Sequence, residues 1–128
     1  LLRRQRQMCI RDRSKYIKDC QDGEEGSRKK NFGMRWVGSL VADASRIFIR
    51  GGIFLYPADN RKNYKEGRLR LTYEANPIAF LIEQAGGKAT NGYENILNLE
   101  VKDIHQRSPL IFGSLDEVLI YKKHYEII

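Results

Sequence analysis

Residues 68–77 read Arg-Leu-Arg-Leu-Thr-Tyr-Glu-Ala-Asn-Pro, a pattern that predicts a strand followed at once by a helix. Polar and apolar side chains alternate with a period of two, so a strand over residues 68–74 would separate them onto two faces. The apolar face would carry Leu69, Leu71 and Tyr73. The polar face would carry Arg68, Arg70, Thr72 and Glu74. Asn76 is a good N-cap and Pro77 fits the first helical position, which predicts a helix start directly after the strand.

The polar face of this stretch has the chemistry of a phosphate site. Two guanidinium groups can bind phosphate oxygens bidentately, and a carboxylate can hold a hard cation. Ligands of open α/β sheets tend to bind beyond the carboxyl ends of strands, which is where Glu74 would lie. The competing interpretation is a half-exposed strand whose arginines and glutamate face water, and the spacing alone leaves both interpretations open.

Length and composition predict one domain of the soluble globular class. The chain has 128 residues and a formal net charge of +7. The excess positive charge lies at the front, because residues 1–33 hold ten Lys and Arg against five Asp and Glu. Residues 34–128 hold thirteen against eleven. A nucleic-acid interface needs its basic residues clustered on the folded part, so no nucleic-acid partner is predicted.

The compartment is predicted from the distribution of apolar residues and cysteines. No apolar run approaches the roughly 20 residues that span a bilayer, and the pattern of a signal peptide is missing. Cys9 and Cys20 are too few for a disulfide framework, and the two histidines lack metal-ligand spacing. We therefore expect a cytoplasmic protein with no membrane partner.

The first 33 residues carry little apolar periodicity. Residues 8–13 resemble the translation of a common sequencing-library adapter, so residues 1–13 are expected to be an artefact of sequence assembly. The rival interpretation is a basic arm that binds polyanions in a salt-dependent way. Residues 14–33 are expected to be a partial strand or loop, with a short strand or a helix end over residues 14–20. The folded domain would then occupy residues 34–128.

An amphipathic helix is predicted over residues 39–49, ended by two glycines. Its apolar face would carry Val37, Leu40, Val41, Ala44, Ile47 and Phe48. Unpaired backbone N–H groups at the helix start, with Arg35 just outside, would attract an anion. An ordinary cap with a solvated arginine is the alternative.

The rest of the domain reads as short alternating elements. They are a buried central strand at 53–57 with the Tyr56 hydroxyl at its exit, a helix at 77–85, a strand at 88–90, an edge strand at 96–101, a buried strand at 109–113 and a last helix opened by a capping box at 114–117. Together they predict a layered α/β fold, a mixed sheet with flanking helices.

Residues 35–107, taken as one string, resemble the C-terminal part of class I fructose-1,6-bisphosphatases. The motifs that carry the resemblance are Arg35-Trp-Val-Gly-Ser-Leu-Val-Ala-Asp43, Gly51-Gly-Ile-Phe-Leu-Tyr-Pro57, Gly67-Arg-Leu-Arg-Leu71, Tyr73-Glu-Ala-Asn-Pro77, Glu83-Gln-Ala-Gly-Gly87 and Ile104-His-Gln-Arg107. The resemblance implies the C-terminal domain of the sugar phosphatase fold. It also implies magnesium-dependent removal of the 1-phosphate from fructose 1,6-bisphosphate to give fructose 6-phosphate, a step of gluconeogenesis.

The same resemblance implies a role for individual residues. Glu74 matches a metal-binding glutamate, and Arg70 matches a residue near the 1-phosphate. Tyr56 matches a tyrosine that hydrogen-bonds the 6-phosphate. Arg35 matches an arginine that reaches into the neighbouring subunit's site, which implies a homo-oligomer, by resemblance a tetramer. The full set of implied substrate-binding residues is Arg35, Trp36, Val37, Gly38, Ser39, Leu40, Tyr56, Arg68, Leu69 and Arg70.

Three positions depart from the family pattern. Trp36 replaces a tyrosine and loses its hydroxyl contact to the 6-phosphate, and Ser45 stands where a histidine is frequent. Arg68 replaces a lysine that reaches the 6-phosphate and sugar, which exchanges a point donor for a planar fork. A sugar bisphosphatase of different specificity, such as a sedoheptulose bisphosphatase, is therefore an alternative.

Metal-dependent hydrolysis needs more acids than this stretch offers. Two clamping cations require several carboxylates, and Glu74 has no acidic cluster beside it in sequence. The resemblance implies that the remaining Mg²⁺ ligands lie in an N-terminal half absent from this chain. No catalytic residue is assigned, and the isolated chain is expected to be inactive. A non-catalytic phosphate-binding or interaction module is the other alternative.

Overall fold

The computed structural model of the 128-residue chain describes residues 16–30, 32–56, 67 and 69–126. Its elements are α1 (residues 16–21), α2 (Leu40–Arg50), β1 (Ile53–Tyr56), β2 (Leu69–Arg70), α3 (Asn76–Gln84), β3 (Lys88–Thr90), β4 (Arg107–Ser108), β5 (Leu110–Gly113) and α4 (Leu115–Glu126). Three expectations lie outside the described residues: the artefact at residues 1–13, the strand end at Pro57 and the placement of Arg68.

Two small antiparallel sheets lie between the helices. The larger has the strand order β1-β5-β3, and the smaller pairs β2 with β4. In the larger sheet Tyr56 lies opposite Leu110, and Thr90 lies opposite Ile111. The predicted α/β class is confirmed, and helices and strands are interspersed along the chain.

The central strand is β5 rather than β1. All four residues of β5 are buried, whereas Phe54 is the only fully buried residue of β1. The prediction that the run at 53–57 is central is wrong, because β1 is an edge strand among the described strands. Both runs are short and apolar, and such a run does not reveal how many neighbours its strand has.

The main core packs the buried faces of α2 and α3 against the larger sheet. Its buried members include Ala44 and Ile47 from α2, Ala79 and Ile82 from α3, and Phe112 from β5. The predicted apolar faces are partly wrong, because some of their members face solvent. The exposed ones are Val37, Val41, Phe48, Leu81 and Ala85. None of the described helices is long and apolar enough to cross a membrane.

The strand that begins at Leu69 ends at Arg70, so the prediction of a strand through residue 74 is wrong. Residues Leu71–Ala75 form a π-helical turn that runs directly into α3. Leu71, Ala75, Ala79 and Ile82 are all buried, at the spacing i, i+4, i+8 and i+11. That spacing is the buried face of one helix, and burial of four side chains outweighs a short alternation. Asn76 consequently lies inside the helical path, with φ −61° and ψ −47°.

Two other predicted local features are wrong for the same kind of reason. The edge strand at 96–101 is instead a 3₁₀ turn, Ile96–Asn98, which buries Ile96 alone of its three residues. The capping box at 114–117 is not formed, because its two side chains bind elsewhere. Ser114 Oγ accepts the N–H of Gly52 at 3.0 Å, and Glu117 binds residues of the front segment.

The front segment is attached to the fold by a buried polar cluster on α4. The hydroxyl of Tyr16 in α1 donates to Glu117 Oε2 at 2.8 Å, and Arg28 Nη2 pairs with Glu117 Oε1 at 2.5 Å. The ring of Tyr16 also meets that of Tyr121 edge-on at 5.3 Å. Of the two structures expected near residues 14–20, the described part is helical.

Candidate anion-binding site

The turn between β2 and α3 is held by the carboxylate of Glu74. Glu74 Oε1 accepts the backbone N–H of Arg70 at 3.1 Å, and the next N–H, that of Leu71, donates to the carbonyl of Gln106 at 2.7 Å. The first N–H groups of a helix have no partner within the helix, so a carboxylate four residues on satisfies one of them. The structure therefore brings the Glu74 carboxylate to the backbone of Arg70 through a helical turn, and not along a strand.

The guanidinium of Arg70 has an unused donor. Arg70 is half-buried, and its Nε is shielded from solvent without a hydrogen-bond partner. The hydroxyl of Thr72, two residues further along the chain, is also shielded from solvent without a hydrogen-bond partner. Leaving such a group unpaired costs about 1–3 kcal/mol, more for a charged one. An anionic ligand that reached Arg70 would remove this cost.

The segment before α2 forms an aromatic surface on β1. The ring of Trp36 stacks on Phe54 at 5.6 Å with 16° between planes, and it lies 5.7 Å from the ring of Tyr56. Gly38 follows with φ +86°, a conformation that side chains rarely adopt, so glycine is required there. The structure thus brings together Trp36 and Tyr56, which lie twenty positions apart in the sequence. Arg35 is exposed at the start of this segment.

The two groups are connected through one stretch of backbone. Tyr56 pairs with Leu110 and Leu69 pairs with Ser108, two positions apart on the same segment. Both Tyr56 and Leu69 pack against the main core. Arg70 pairs with Arg107, three positions from Leu110, so about 10 Å of extended chain separates the partners of Tyr56 and Arg70.

Asp43 is a residue of this region that the sequence analysis did not assign to a site. It is 1% exposed, and its Oδ1 accepts the backbone N–H of Val37 at 3.3 Å. The same oxygen pairs with Arg46 at 3.2 Å. The available signal was its position, three residues after Leu40 and four before Ile47, which puts a carboxylate on the buried face of α2.

A complete metal site is not formed by the described residues. Among them, no group of three His, Cys, Asp or Glu side chains lies close enough to hold an ion. Glu74 can supply one oxygen ligand, but Mg²⁺ takes six in octahedral geometry. The donor set on the described part of the chain therefore fits the predicted Mg²⁺ only as one contributor to a larger shell.

The fold and this region together define a layered α/β domain with candidate phosphate-binding groups around the start of a helix. A family model described as the C-terminal domain of fructose-1-6-bisphosphatase matches residues 4–126. The chain belongs to that family, which confirms the resemblance drawn from the motifs.

Curated relatives agree with the family match. A class 1 fructose-1,6-bisphosphatase of Azorhizobium caulinodans is 62% identical over 111 residues, 87% of this chain and 34% of the relative. One of Methylorubrum extorquens is 60% identical over 111 residues, 87% of this chain and 32% of the relative. One of Rhizobium meliloti is 62% identical over 103 residues, 80% of this chain and 30% of the relative. The chain spans about a third of the length of the curated relatives it matches.

Proposed function

We propose that this chain is the substrate-binding domain of a fructose-1,6-bisphosphatase. The complete enzyme would hydrolyse the 1-phosphate of fructose 1,6-bisphosphate to give fructose 6-phosphate in gluconeogenesis. Family membership supports this assignment, as do relatives that carry that name. At the level of residues, one observation supports the proposal. Arg70 has a side-chain Nε without a hydrogen-bond partner, and its backbone N–H donates to Glu74.

Each group in the region has a proposed task. Arg70 binds the 1-phosphate, where its fork can hold two oxygens and balance their charge. Tyr56 donates to the 6-phosphate, and the backbone of Gly38 to Leu40 contacts the sugar. Glu74 contributes one ligand to Mg²⁺, which supplies Lewis-acid polarisation of the phosphate when bound. Arg68 would reach the sugar and 6-phosphate, and it lies outside the described residues.

The proposed assembly is a cytoplasmic homo-oligomer, a tetramer, in which Arg35 reaches the site of a neighbouring subunit. The exposure of the Arg35 side chain supports this role, because an exposed guanidinium can bind a phosphate outside its own chain. The remaining carboxylates of the metal shell belong to the part of the relatives that this chain does not span. The 128-residue chain alone is therefore expected to bind substrate without turning it over.

A different sugar bisphosphate is the second candidate substrate. Trp36 stands where the family has a tyrosine, and its indole stacks on Phe54 instead of presenting a hydroxyl. Comparison of fructose 1,6-bisphosphate with sedoheptulose 1,7-bisphosphate in the same titration separates the two candidates. Tighter binding of the seven-carbon sugar would reassign the specificity and keep the class.

Calorimetric titration of the 128-residue chain with fructose 1,6-bisphosphate tests the proposal. The wild-type chain should bind, and Arg70→Met should weaken binding at least about tenfold, the value of one charge-assisted hydrogen bond. Arg50→Met is the matched control, since it removes the same charge from the C-terminal end of α2. That end lies about 15 Å along the helix axis from Leu40. Arg50→Met should bind like wild type.

Two results would contradict the proposed function. Wild-type chain that does not bind the bisphosphate would remove the substrate-binding role. Equal losses in Arg70→Met and Arg50→Met would show a general charge effect rather than a site. A phosphate-release assay with Mg²⁺ tests the expected inactivity separately, and measurable turnover by the 128-residue chain would contradict it.

A further inference from the structure

Two side chains one turn apart on α2 hold the backbone that precedes the helix. Arg46 Nη2 donates to the carbonyl of Arg35 at 3.4 Å, and Asp43 Oδ1 accepts the N–H of Val37 at 3.3 Å. The two side chains also pair with each other through the same atoms at 3.2 Å. The residue between the two anchored peptide groups is Trp36.

Burial of this ion pair has a free-energy cost that stabilisation of α2 alone does not explain. Asp43 is 1% exposed, and its Oδ2 is shielded from solvent with no hydrogen-bond partner. A buried carboxylate with an unsatisfied oxygen costs free energy, whereas an apolar side chain on the buried face of α2 would pack at no such cost. The groups that Asp43 and Arg46 contact are backbone atoms of the proposed substrate segment, which indicates what the pair is for.

We propose that Asp43 and Arg46 are positioning residues for the bisphosphate site. By gripping the backbone on both sides of Trp36, they fix the indole on Phe54 and set the direction in which Arg35 and the N–H groups after Gly38 are presented. Neither side chain touches the substrate. The inference rests on the proposed function, and it assigns to α2 a role in arranging the site that the sequence pattern does not show.

The test combines two measurements on the 128-residue chain. The first is the affinity for fructose 1,6-bisphosphate by calorimetry, and the second is hydrogen exchange at the Val37 amide. Asp43→Ala should weaken binding about tenfold, because one charge-assisted anchor is lost, and should speed exchange at Val37. Asp43→Asn keeps an oxygen acceptor for that amide and should restore most of both.

Glu117→Gln is the matched control, since it alters another buried carboxylate that belongs to the cluster with Tyr16 and Arg28. It should lower thermal stability yet leave both readouts unchanged. If Asp43→Ala does not fold, Arg46→Ala replaces it, because Arg46 is half-buried; its removal frees the carbonyl of Arg35 and takes the ion-pair partner from Asp43. That variant should also bind more weakly.

The outcomes separate this inference from the function on which it rests. Wild-type chain that fails to bind the bisphosphate overturns the proposed function. Wild-type affinity in a folded Asp43→Ala or Arg46→Ala chain overturns the positioning role alone. Equal losses in Asp43→Ala and Glu117→Gln would reduce Asp43 to a stabilising residue and likewise overturn it.

Discussion

At the scale of single residues, the candidate site is marked by groups that the domain itself leaves unsatisfied. Arg70 Nε, Thr72 Oγ1 and Asp43 Oδ2 are all shielded from solvent without a hydrogen-bond partner. Arg70 is the last residue of β2, Thr72 lies in the turn that follows it, and Asp43 lies under the segment before α2. Native proteins satisfy most buried polar groups, and these are three of the five unsatisfied side-chain atoms among the described residues, the other two being Arg28 Nη1 and Asn95 Oδ1, which supports the proposed site.

Glu74 serves both the fold and the proposed chemistry, and two substitutions test its role in the fold. Glu74→Ala removes the acceptor for the N–H of Arg70 and should lower the free energy of unfolding by about 1 kcal/mol, a typical cost of a lost cap. Glu74→Gln keeps an oxygen acceptor in that place and should lower the free energy of unfolding by only about a few tenths of a kcal/mol. Urea denaturation of the three chains measures both values. Equal stability of Glu74→Ala and wild type would refute the capping role.

At the scale of elements, much of the fold was predictable and the failures share one cause. The helix predicted over residues 39–49 is present as Leu40–Arg50, with Ser39 at its N-cap and Gly51 at its C-cap. The strand Lys88–Thr90 and the buried strand after Pro109 are also confirmed. These elements carry their own start and stop residues, so they can be predicted from the local sequence alone.

The elements that were mispredicted are those in which a tertiary contact overrules a short local pattern. Alternation from Leu69 to Glu74 gives way to a helical turn, because Leu71 and Ala75 join the buried face of α3. Glu117 leaves its capping role because Tyr16, 101 positions away, binds its carboxylate. For the site, the residue types of Arg70, Glu74 and Tyr56 were readable from sequence. The contact of Asp43 with the Val37 backbone was not, because its position on the apolar face of α2 indicates burial but not the partner.

The π-helical turn before α3 should depend on Pro77. Proline has no N–H, so the chain closes the turn through the N–H of Asn76 to the carbonyl of Leu71 instead of continuing a regular α-helix from the strand. Pro77→Ala supplies the missing donor and lets the turn tighten, which shifts Arg70 and Glu74. Helix content should be kept or raised, while bisphosphate affinity falls by about tenfold, one charge-assisted contact. Circular dichroism and calorimetry measure the two, and unchanged affinity would contradict this account.

The contact between α1 and α4 should make stability depend on alkaline pH. Burial, and after it the hydrogen bond to Glu117, raises the pKa of Tyr16 above its ordinary value of 10.0. The folded chain thus keeps a proton that the unfolded chain loses, so the stabilisation is present below pH 10 and is lost as the pH rises above it.

Tyr16→Phe removes that proton and should flatten the decline. Above pH 10 the unfolding free energy of wild type should fall more steeply than that of Tyr16→Phe, by about 1.4 kcal/mol per pH unit. Urea denaturation at a series of pH values measures the difference. Parallel curves for the two chains would contradict the buried position of the Tyr16 hydroxyl.

At the scale of the whole molecule, the domain is proposed to be one part of a larger enzyme. It matches the C-terminal domain of the family and spans about a third of the relatives' length. In the proposed enzyme this part recognises the sugar bisphosphate, and among the described residues Glu74 contributes to the metal shell. Binding and hydrolysis are therefore expected to separate experimentally, with binding retained by the 128-residue chain.

Amide chemical shifts of the ¹⁵N-labelled 128-residue chain, followed during titration with fructose 1,6-bisphosphate, test whether these residues form one binding site. Saturable shifts are expected at residues 35–40, at Tyr56 and at residues 69–74, with little change in α4. Because binding at one site moves both groups together, the shifts should share one dissociation constant. Saturable shifts that avoid these residues, or no shifts at all, would contradict the account.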